Sequence, residues 1–383
     1  MKVAFYAPLK PPDHANPSGD RLIARLLLEA LRRSGNQPLL LSRFRSWEGR
    51  GDAARQDRLR RVGERLGRRL LRRLFALDPA NRPRCWFTYH LYHKAPDWIG
   101  PLVSRSLDIP YVVAEASVAE KQRDGPWREG FAAASTAISG ADLLIALNTT
   151  DLPGVASLMA EHARLVHLPP FLDLAAFEPR NGREQEKARL ADRLRLPLEP
   201  PWLVTVAMMR VGNKLDSYRA LAKALDTCLH LPWHLIIVGD GAMRTEVEAA
   251  FSGELSARVT FTGRYVHAEL PALLGACDLC VWPALAEPLG MALLEAQAAG
   301  LPVVAGDSGG VSDIVREGET GRLVPPGDVN LFADAVIALL NDTAARHAMG
   351  KRARDRAMEI HDLDSAARSL DDWLRRLTAA RRA

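Results

Sequence analysis

Residues 279–300 of the chain read Leu-Cys-Val-Trp-Pro-Ala-Leu-Ala-Glu-Pro-Leu-Gly-Met-Ala-Leu-Leu-Glu-Ala-Gln-Ala-Ala-Gly. The apolar run from Leu279 to Pro283 is typical of a buried β-strand. The run after it predicts a helix that begins near Leu289 to Met291 and ends at Gly300, because glycine commonly closes a helix. A strand, a short loop and a helix in this order form the repeating unit of parallel α/β sheets, so this stretch sets the fold class.

The same alternation continues through most of the 383 residues, which are enough for two domains. The helix after the first strand is predicted over Gly19 to Arg33, and a connection with paired prolines over Val166 to Arg180 separates two runs of strands. The first run of predicted strands comprises Val3–Ala7, Pro38–Ser42, Trp86–His90, Tyr111–Ala114 and Leu143–Ala146. The second comprises Trp202–Met208, His234–Val238, Val259–Thr262, Leu279–Pro283 and Pro302–Ala305.

This pattern predicts an α/β protein of two doubly wound, Rossmann-like domains that face a central cleft. We expect an N-terminal domain over residues 1–170 and a C-terminal domain over residues 171–365. A last helix over about residues 366–383 is expected to pack back on the N-terminal domain. Ligands of such sheets bind at the carboxyl ends of the strands, so the loops that follow the strands are the places to look for function.

The start of the helix after Leu279–Pro283 is a predicted anion site. Its free backbone N–H groups and the positive end of the helix dipole favour negative charge, and Gly290 lets a phosphate approach the backbone. Glu287 lies before the helix and can face outward, whereas Glu295 lies further along it, where a carboxylate can accept two ribose hydroxyls. In isolation, two glutamates near a helix would be assigned to solubility and to complementing the dipole.

In context, this segment resembles the Glu-x7-Glu motif of the retaining glycosyltransferases of family four, which have the GT-B fold. The flanking residues are similar too: 298–310, 311–321 and 323–328 after the motif, and Val238-Gly-Asp-Gly241 and Val259-Thr-Phe-Thr-Gly263 before it. The resemblance is dense from about Trp202 to Leu340 and looser before that. It implies a retaining transferase that moves a sugar from a nucleotide diphosphate sugar to a hydroxyl acceptor, such as a glycan, glycolipid or small glycoside, in polysaccharide or glycoconjugate synthesis.

The resemblance also implies roles for individual residues. Glu287 would contact the hydroxyls of the donor sugar, and Glu295 the ribose. Arg210 and Lys214 would neutralise the diphosphate leaving group, although a structural salt bridge is an alternative for Lys214 because its loop is shorter than usual in the family. The remaining donor-binding residues would be Leu289, Gly290 and Met291 at the diphosphate, Arg264 and Tyr265 at the base, and Gly239 in the stretch Val238-Gly-Asp-Gly241.

These cations would act without a metal ion, so we expect no metal and no cofactor apart from the donor substrate. The Asp-x-Asp pattern that holds metals in other glycosyltransferases occurs at Asp362-Leu-Asp364, where Asp364 is expected to be a helix N-cap. Cys277 and Cys280 have the spacing of a metal or redox pair, but they run into an apolar strand and have no second pair, so we expect buried thiols.

The acceptor side is expected in the N-terminal half. The loop Pro8 to Asp20 resembles the family's glycine-containing loop near the donor phosphates and the acceptor, with Gly19 preceded by Ser18 instead of a second glycine. Many relatives have a histidine at the end of the strand that includes Tyr111–Ala114; here the chain has Glu115, which is either a catalytic group or an unrelated loop acid. The further acceptor-side candidates are His90, His93 and Lys94.

The net charge of +5 favours anionic partners, and the charge is concentrated in an arginine-rich helix predicted over residues 55–75. Its apolar stripe of Leu59, Val62, Leu66, Leu70 and Leu74 leaves two alternatives. The helix either docks on an anionic membrane or packs on its sheet with a solvated basic face. Nucleic-acid binding is disfavoured, because the sequence shows no interleaved aromatics or zinc spacing.

Without a membrane span or a secretory signal, we expect a cytoplasmic protein, peripheral on the inner face of the membrane if the arginine-rich helix docks there. Two other functions remain as alternatives to the transferase. One is a nucleotide-sugar epimerase of the same fold, and the other is a binding module without catalytic activity. The epimerase would convert the donor without any acceptor.

Overall fold

The computed structural model describes residues 1–16, 18–178 and 182–381. The chain divides into two compact units. Unit 1 comprises Met1–Pro169 together with Leu363–Ala383, and unit 2 comprises Pro170–Asp362.

Unit 1 is a sheet of six parallel strands with helices between them. Its elements are β1 (Lys2–Tyr6), α1 (Gly19–Arg33), β2 (Gln37–Ser42), α2 (Ala53–Phe75), β3 (Cys85–Leu91), α3 (Gly100–Leu107), β4 (Tyr111–Ala116), α4 (Arg128–Ser139), β5 (Leu143–Ala146), α5 (Leu152–Ala156) and β6 (Arg164–His167). The strand order is β2-β1-β3-β4-β5-β6. β4 is buried along its whole length, as expected for a strand covered by helices on both faces.

Unit 2 repeats this architecture. Its elements are α6 (Arg183–Leu194), β7 (Trp202–Val206), α7 (Asn213–Asp226), β8 (His234–Val238), α8 (Arg244–Ala250), β9 (Val259–Gly263), α9 (Leu270–Ala276), β10 (Leu279–Trp282), α10 (Met291–Ala298), β11 (Val303–Gly306), α11 (Val311–Ile314), β12 (Gly321–Val324), α12 (Val329–Asn341) and α13 (Thr343–Ile360). The order is β12-β11-β10-β7-β8-β9, again parallel.

The last helix, α14 (Leu363–Ala380), belongs to unit 1, where it packs against α1. Arg33 at the end of α1 pairs with Asp364 at 3.0 Å, and the Asn36 side-chain amide donates to Asp371 at 3.1 Å. The expected N-cap role of Asp364 is wrong, because the helix already begins at Leu363. Residues 382 and 383 of the expected terminal helix lie outside the described residues, as do 179 and 180 of the expected connection.

The predicted fold class, two Rossmann-like parallel sheets, is confirmed, but two strands were missed. β6 overlaps the start of the expected connection, and β12 was not predicted at all. Both are four-residue strands at the outer edge of a sheet, and each contains an arginine, Arg164 or Arg322. An edge strand has only one neighbour and stays partly exposed, so its sequence lacks the continuous apolar run that marks a central strand.

The arginine-rich helix is α2, and its packed face includes Leu66, Leu70 and Leu74 of the predicted stripe but is wider than that stripe. The buried positions include Gly63 and Gly67, and a Cβ on Gly63 would lie 2.5 Å from Cβ of Trp98. The glycines therefore let α2 lie close to α3 and to the residues that precede α3. Val62 of the expected stripe is 36% exposed, so it lies outside this face.

Within the described ranges, none of the helices combines the length and the apolar character that crossing a bilayer requires.

Candidate functional site

Each sheet has one point where the strand order reverses, and ligands of doubly wound sheets bind at the carboxyl ends of the strands there. In unit 1 this point lies between β1 and β3, and in unit 2 it lies between β7 and β10. The loop after β7 carries Arg210 and leads into α7 with Lys214, and the loop after β10 carries Glu287. The topology therefore places these three candidates at one corner of unit 2.

Lys214 and Glu287 meet at this corner. The Lys214 ammonium is ion-paired with Oε2 of Glu287 and lies 5.0 Å from the centre of the Trp282 ring. The Trp282 indole N–H donates to the same carboxylate oxygen at 3.1 Å. The side chains of Lys214 and Glu287 are 30% and 16% exposed, so the pair is largely buried but still reaches solvent.

Residues 308–310 brace the loop that carries Glu287. The Glu287 amide donates to the Ser308 hydroxyl at 3.1 Å, and the Gly310 amide donates to the Pro288 carbonyl at 2.9 Å. Gly309 has φ +58, and a Cβ there would lie 2.3 Å from the Glu287 carbonyl oxygen. Only glycine fits this approach, which explains why a Ser-Gly-Gly sequence stands opposite the Glu287 loop.

Helix α10 begins directly after this loop. Gly290 caps it with φ 71 and ψ 32, the left-handed conformation that glycine adopts without strain. The amides of Leu289, Gly290 and Met291 donate to none of the described residues. Free amides at a helix start, combined with the helix dipole, suit a bound anion.

Glu295 lies on the same helix but is only 5% exposed. Burial raises the pKa of its carboxyl group to about 7. A protonated carboxyl group can donate as well as accept a hydrogen bond. Because Glu295 is buried, it can make the predicted ribose contact only if the ribose hydroxyls reach into the packed interior of unit 2.

The other donor-side candidates are distributed over the same edge of the sheet. Arg210 is exposed and donates to Met208 Sδ at 2.8 Å. Arg264 lies 3.7 Å from Asp240, and the Tyr265 hydroxyl contacts Arg193. Gly239 has φ +150, and a Cβ there would lie 1.9 Å from the Ala207 carbonyl oxygen. Gly239 is therefore required for packing of the β7 and β8 loops.

At the switch point of unit 1, α1 and β3 bring Asp20 and His90 together. The nearest atoms of this pair, Oδ1 of Asp20 and Nδ1 of His90, are 3.2 Å apart. Burial alone would lower the pKa of His90, but the hydrogen bond and charge of Asp20, with the charges of Glu115 and Asp151, outweigh it and raise the pKa. His90 is therefore favoured as an imidazolium held between carboxylates.

Glu115 is the second-to-last residue of the neighbouring strand β4 and is 3% exposed. Its carboxylate accepts from the Leu147 amide at 3.2 Å and from the Asn148 side chain at 3.3 Å. Burial raises its pKa to about 7, against the opposing effect of His90. His90 and Glu115 have φ values of 59 and 58, and non-glycine residues in this region are typical of functional sites.

The remaining acceptor-side candidates follow β3. His93 packs edge-on against the Trp127 ring at 5.7 Å between centres, and Lys94 lies 4.6 Å from the centre of that ring. Gly19 is the exposed first residue of α1, and no atom lies within 4 Å of where its Cβ would be. Gly19 thus has room for a side chain, unlike Gly239 and Gly309.

In the part of the chain that the structure describes, no group of three or more His, Cys, Asp or Glu side chains is arranged to hold a metal ion. Cys277 and Cys280 are buried free thiols. Burial raises the pKa of Cys280 to about 12, which leaves it unreactive.

Several partners of the candidate residues were not identified from the sequence. Trp282 lies inside an apolar strand, and Asp20 and Asn148 look like ordinary residues of a helix start and a loop. The one signal that could have found them is position, because each lies at or after the carboxyl end of a strand, and neighbouring strands bring such residues together. The strand order on which that argument depends is not visible in the sequence.

Two doubly wound sheets, each with charged residues gathered at its switch point, define a two-domain α/β protein of the nucleotide-binding type. The family model described as glycosyl transferases group 1 matches residues 200–342. A D-inositol 3-phosphate glycosyltransferase of Catenulispora acidiphila is 30% identical over 287 residues, which are 70% of this chain and 68% of that protein. The chain belongs to the glycosyl transferases group 1 family.

Two further relatives are each 32% identical. One is the sulfoquinovosyl transferase SQD2 of Arabidopsis thaliana, where the match covers 48% of this chain and 34% of that protein. The other is a GDP-mannose-dependent phosphatidylinositol monomannoside mannosyltransferase of Mycobacterium tuberculosis, where it covers 63% and 64%. The chain thus spans between one third and two thirds of the length of these two relatives.

Solved structures confirm the GT-B type of fold. Sucrose-phosphate synthase from Thermosynechococcus elongatus has a TM-score of 0.75 and 21% identity, and the match covers 99% of this chain and all of that one. Anabaena HepE in complex with UDP-glucose has a TM-score of 0.71 and 18% identity, with 98% and 99% covered. Identities this low bear on the fold alone.

Proposed function

We propose that this protein transfers a sugar from a nucleotide diphosphate sugar to a hydroxyl acceptor, with retention of the anomeric configuration and without a metal ion. The donor would bind at the carboxyl edge of the unit 2 sheet and the acceptor at that of unit 1. Family membership supports the reaction class. The observation that carries the site is the meeting of Lys214, Glu287 and the start of α10 at the switch point of unit 2.

The site offers charge where the reaction needs it. When the bond from the anomeric carbon to the phosphate breaks, negative charge grows on the diphosphate, and fixed cations and helix amides stabilise that charge. Arg210, Lys214 and the amides of residues 289–291 would do this. Glu287 would accept hydrogen bonds from the sugar hydroxyls.

Retention is proposed to proceed by front-face substitution through an oxocarbenium-like transition state. In this route the leaving phosphate helps to deprotonate the acceptor hydroxyl, so no covalent intermediate is needed. Glu115 is the unit 1 group proposed to help deprotonate that hydroxyl, because its raised pKa, about 7, allows it to exchange a proton near neutral pH. His90, favoured as an imidazolium, is proposed to position the hydroxyl by donating a hydrogen bond.

Substitution tests these roles. Glu287→Ala and Arg210→Ala should each abolish transfer from the donor that wild type uses, while circular dichroism shows an unchanged fold. Arg219→Ala is the matched control, since Arg219 is an exposed residue of α7 that pairs with Asp216 at 3.3 Å. Wild-type turnover in both Glu287→Ala and Arg210→Ala would refute the site assignment.

Two alternatives are separated by simpler assays. An epimerase would isomerise the donor in the absence of any acceptor. A binding module would bind the nucleotide sugar and leave the bond between the nucleotide and the sugar intact. NMR spectra of the donor incubated with the protein, with and without a mixed acceptor extract, distinguish the three outcomes. The transferase predicts nucleoside diphosphate release that requires the acceptor.

For the acceptor, the proposal covers a glycan, a glycolipid or a small glycoside. The names of two relatives mention phosphatidylinositol monomannoside, a glycolipid, and inositol 3-phosphate, so a glycolipid and a phosphorylated cyclitol belong among the first acceptors to test. HepE was solved with UDP-glucose, so UDP and its sugars are a sensible first donor set beside GDP and ADP.

We also propose that the outer face of α2 contacts an anionic membrane, which would make the protein peripheral on the cytoplasmic face. The face includes six exposed arginines, five of them spaced three and four apart with Arg69 next to Arg68: Arg58, Arg61, Arg65, Arg68, Arg69 and Arg72. They extend over roughly 21 Å of helix. Each cation near an acidic lipid surface contributes about 1 kcal/mol.

Vesicle flotation tests this contact. Wild type should float with vesicles that contain phosphatidylglycerol and not with pure phosphatidylcholine, and added salt should release it. Arg65→Glu with Arg69→Glu and Arg72→Glu should abolish flotation. The control Lys223→Glu with Lys351→Glu changes exposed lysines of unit 2. Equal flotation of both variants, or none by wild type, would show that the arginines form a solvated face only.

A further inference from the structure

Trp282 contacts both members of the ion pair formed by Lys214 and Glu287. Its indole N–H donates to Oε2 of Glu287 at 3.1 Å, and the Lys214 ammonium lies 5.0 Å from the centre of its ring. Lys214 pairs with the same Oε2 atom, whereas Oε1 of Glu287 accepts a hydrogen bond from none of the described residues. One carboxylate oxygen is therefore shared by two partners, and the other is left for a ligand.

Trp282 is held firmly at the last position of β10. Its side chain is only 4% exposed, and its ring packs edge-on against that of Tyr218, with 5.1 Å between centres. The Tyr218 hydroxyl donates to the Ala207 carbonyl at 2.8 Å, so the ring beside Trp282 is fixed in turn. Because protein interiors are closely packed, a side chain in this setting has little freedom to turn. The indole N–H is thus a fixed donor.

The other partner, Lys214, lies on a face of α7 that contacts β10 and the loop after it. Ser217 and Tyr218 lie three and four positions after Lys214, so the three residues share that face. The Ser217 hydroxyl accepts from the Leu285 amide at 3.3 Å. The Lys214 side chain is 30% exposed, and a lysine ammonium is carried on a flexible four-carbon stem. The lysine can therefore turn away from its carboxylate, whereas the indole cannot.

The two partners of Glu287 would separate during the proposed reaction. A diphosphate that draws the Lys214 ammonium away leaves Oε2 of Glu287 without its charged partner. A largely buried carboxylate without a donor is costly, so it would follow the lysine or turn toward water. Among the described residues, the fixed N–H of Trp282 is the one donor that stays at Oε2 when the lysine leaves.

We infer that Trp282 is a positioning residue of the donor site: its N–H holds the Glu287 carboxylate in place while Lys214 moves to the diphosphate. The Oε1 atom of Glu287 then remains available to accept from a sugar hydroxyl. The inference rests on the proposed function, since it names the partner that Glu287 keeps during transfer. Loss of this N–H alone therefore affects both nucleotide binding and turnover.

Benzothienylalanine at position 282 removes the N–H alone, because sulfur replaces the nitrogen while the ring face and the size are kept. Nucleoside diphosphate should then bind about 5-fold more weakly, since the carboxylate retains Lys214 as its only partner. The kcat for transfer should fall about 10-fold, whereas the KM for the acceptor should stay within about 2-fold. Trp282→Phe also lacks the N–H and should change nucleotide affinity and kcat in the same directions.

Trp233 is the matched control. It is buried, its N–H donates to the Cys228 carbonyl at 2.9 Å, and the Arg258 guanidinium lies 5.3 Å from its ring centre. Benzothienylalanine there should destabilise the fold to a similar extent and leave nucleotide affinity and kcat within about 2-fold of wild type. In Glu287→Gln, the analogue at position 282 should change nucleotide affinity by less than about 2-fold, because no carboxylate is left to hold. Equal effects at the two tryptophans, or an effect at position 282 that persists in Glu287→Gln, would show that Trp282 is a core residue only.

NMR of the indole N–H groups gives a readout that does not depend on activity. The chain has eight tryptophans, and the resonance absent from the position 282 analogue identifies Trp282. The probe is UDP, GDP or ADP, whichever raises the unfolding temperature most. With the probe bound, the Trp282 N–H should stay protected from exchange with water and move downfield, because a carboxylate without its ammonium accepts more strongly. An unchanged resonance, or loss of protection, would overturn the inference.

Nucleotide binding to the wild-type protein separates this inference from the proposed function. If none of the three nucleotides binds, the proposed function fails. If one of them binds while the Trp282 N–H does not respond as expected, only the positioning role of Trp282 fails.

Discussion

Replacing Glu287 by glutamine should change stability, nucleotide binding and transfer in three different ways. The substitution keeps the size of the side chain but removes the charge that pairs with the Lys214 ammonium and accepts from Trp282 at 3.1 Å. Because the two side chains are only 30% and 16% exposed, loss of the pair should cost about 1–2 kcal/mol, between the values for exposed and buried ion pairs. In a domain of this size the midpoint of thermal unfolding should fall by roughly 2–8 °C.

Nucleoside diphosphate binding should instead become tighter in Glu287→Gln. The carboxylate that competes with the diphosphate for Lys214 is gone, and with it a negative charge at the anion site. We expect affinity to rise about 3- to 10-fold, a gain of about 1 kcal/mol. Transfer should nevertheless fall at least about 100-fold, because the sugar hydroxyls lose their charged acceptor.

Calorimetric titration, thermal unfolding and a transfer assay on the same preparation check the three effects. A double-mutant cycle with Lys214→Gln isolates the pair and should give a coupling energy of about 1 kcal/mol in stability. The reasoning is refuted if nucleotide affinity and transfer change together in the same direction, or if the cycle shows no coupling.

Three further predictions concern other parts of the chain. Gly239→Ala should destabilise unit 2 by more than about 2 kcal/mol, because Gly239 has φ +150 and the new Cβ would lie 1.9 Å from the Ala207 carbonyl oxygen. Gly275→Ala is the control, since nothing lies within 4 Å of that Cβ position, and it should not destabilise the unit in this way. Thermal unfolding of the two variants compares them. The pKa of Glu295 is about 7 in the folded state and about 4.5 in the unfolded state, so the free energy of unfolding should fall as pH rises from 4.5 to 7 and level off above that. Glu295→Gln has no such proton to lose and should remove about 3 kcal/mol of this fall. Urea unfolding of both proteins across this pH range measures the difference. Asp20→Asn should lower the pKa of His90, which NMR titration of its ring protons measures, and an unchanged His90 pKa would show that Asp20 does not hold it.

Sequence patterns predicted the fold where burial is complete. β5 and the helix Gly19–Arg33 have the predicted bounds, and β8 does too, because continuous apolar runs and a helix cap mark these elements directly. The edge strands β6 and β12 were not found, since they are short and half-exposed. On α2, the predicted residues Leu66, Leu70 and Leu74 do pack in the core, but the packed face also includes Gly63 and Gly67, which hydrophobic periodicity does not register.

The candidate site was predicted as a set of residues, and the structure adds which of them meet. The contact of Lys214 with Glu287 follows from the adjacency of β7 and β10, and that of Asp20 with His90 follows from the adjacency of β1 and β3. Neither adjacency can be read from spacing along the chain, because both pairs are far apart in sequence. The roles of these residues in a reaction remain predictions.

The most direct test of the central claim is a structure of the protein bound to the nucleoside diphosphate that stabilises it most in a thermal-shift screen of UDP, GDP and ADP. We expect the diphosphate within hydrogen-bond distance of the Gly290 and Met291 amides, with the Lys214 ammonium moved from Glu287 toward the phosphates. A nucleotide bound elsewhere on the chain, or a diphosphate that leaves the start of α10 and Lys214 untouched, would contradict this expectation.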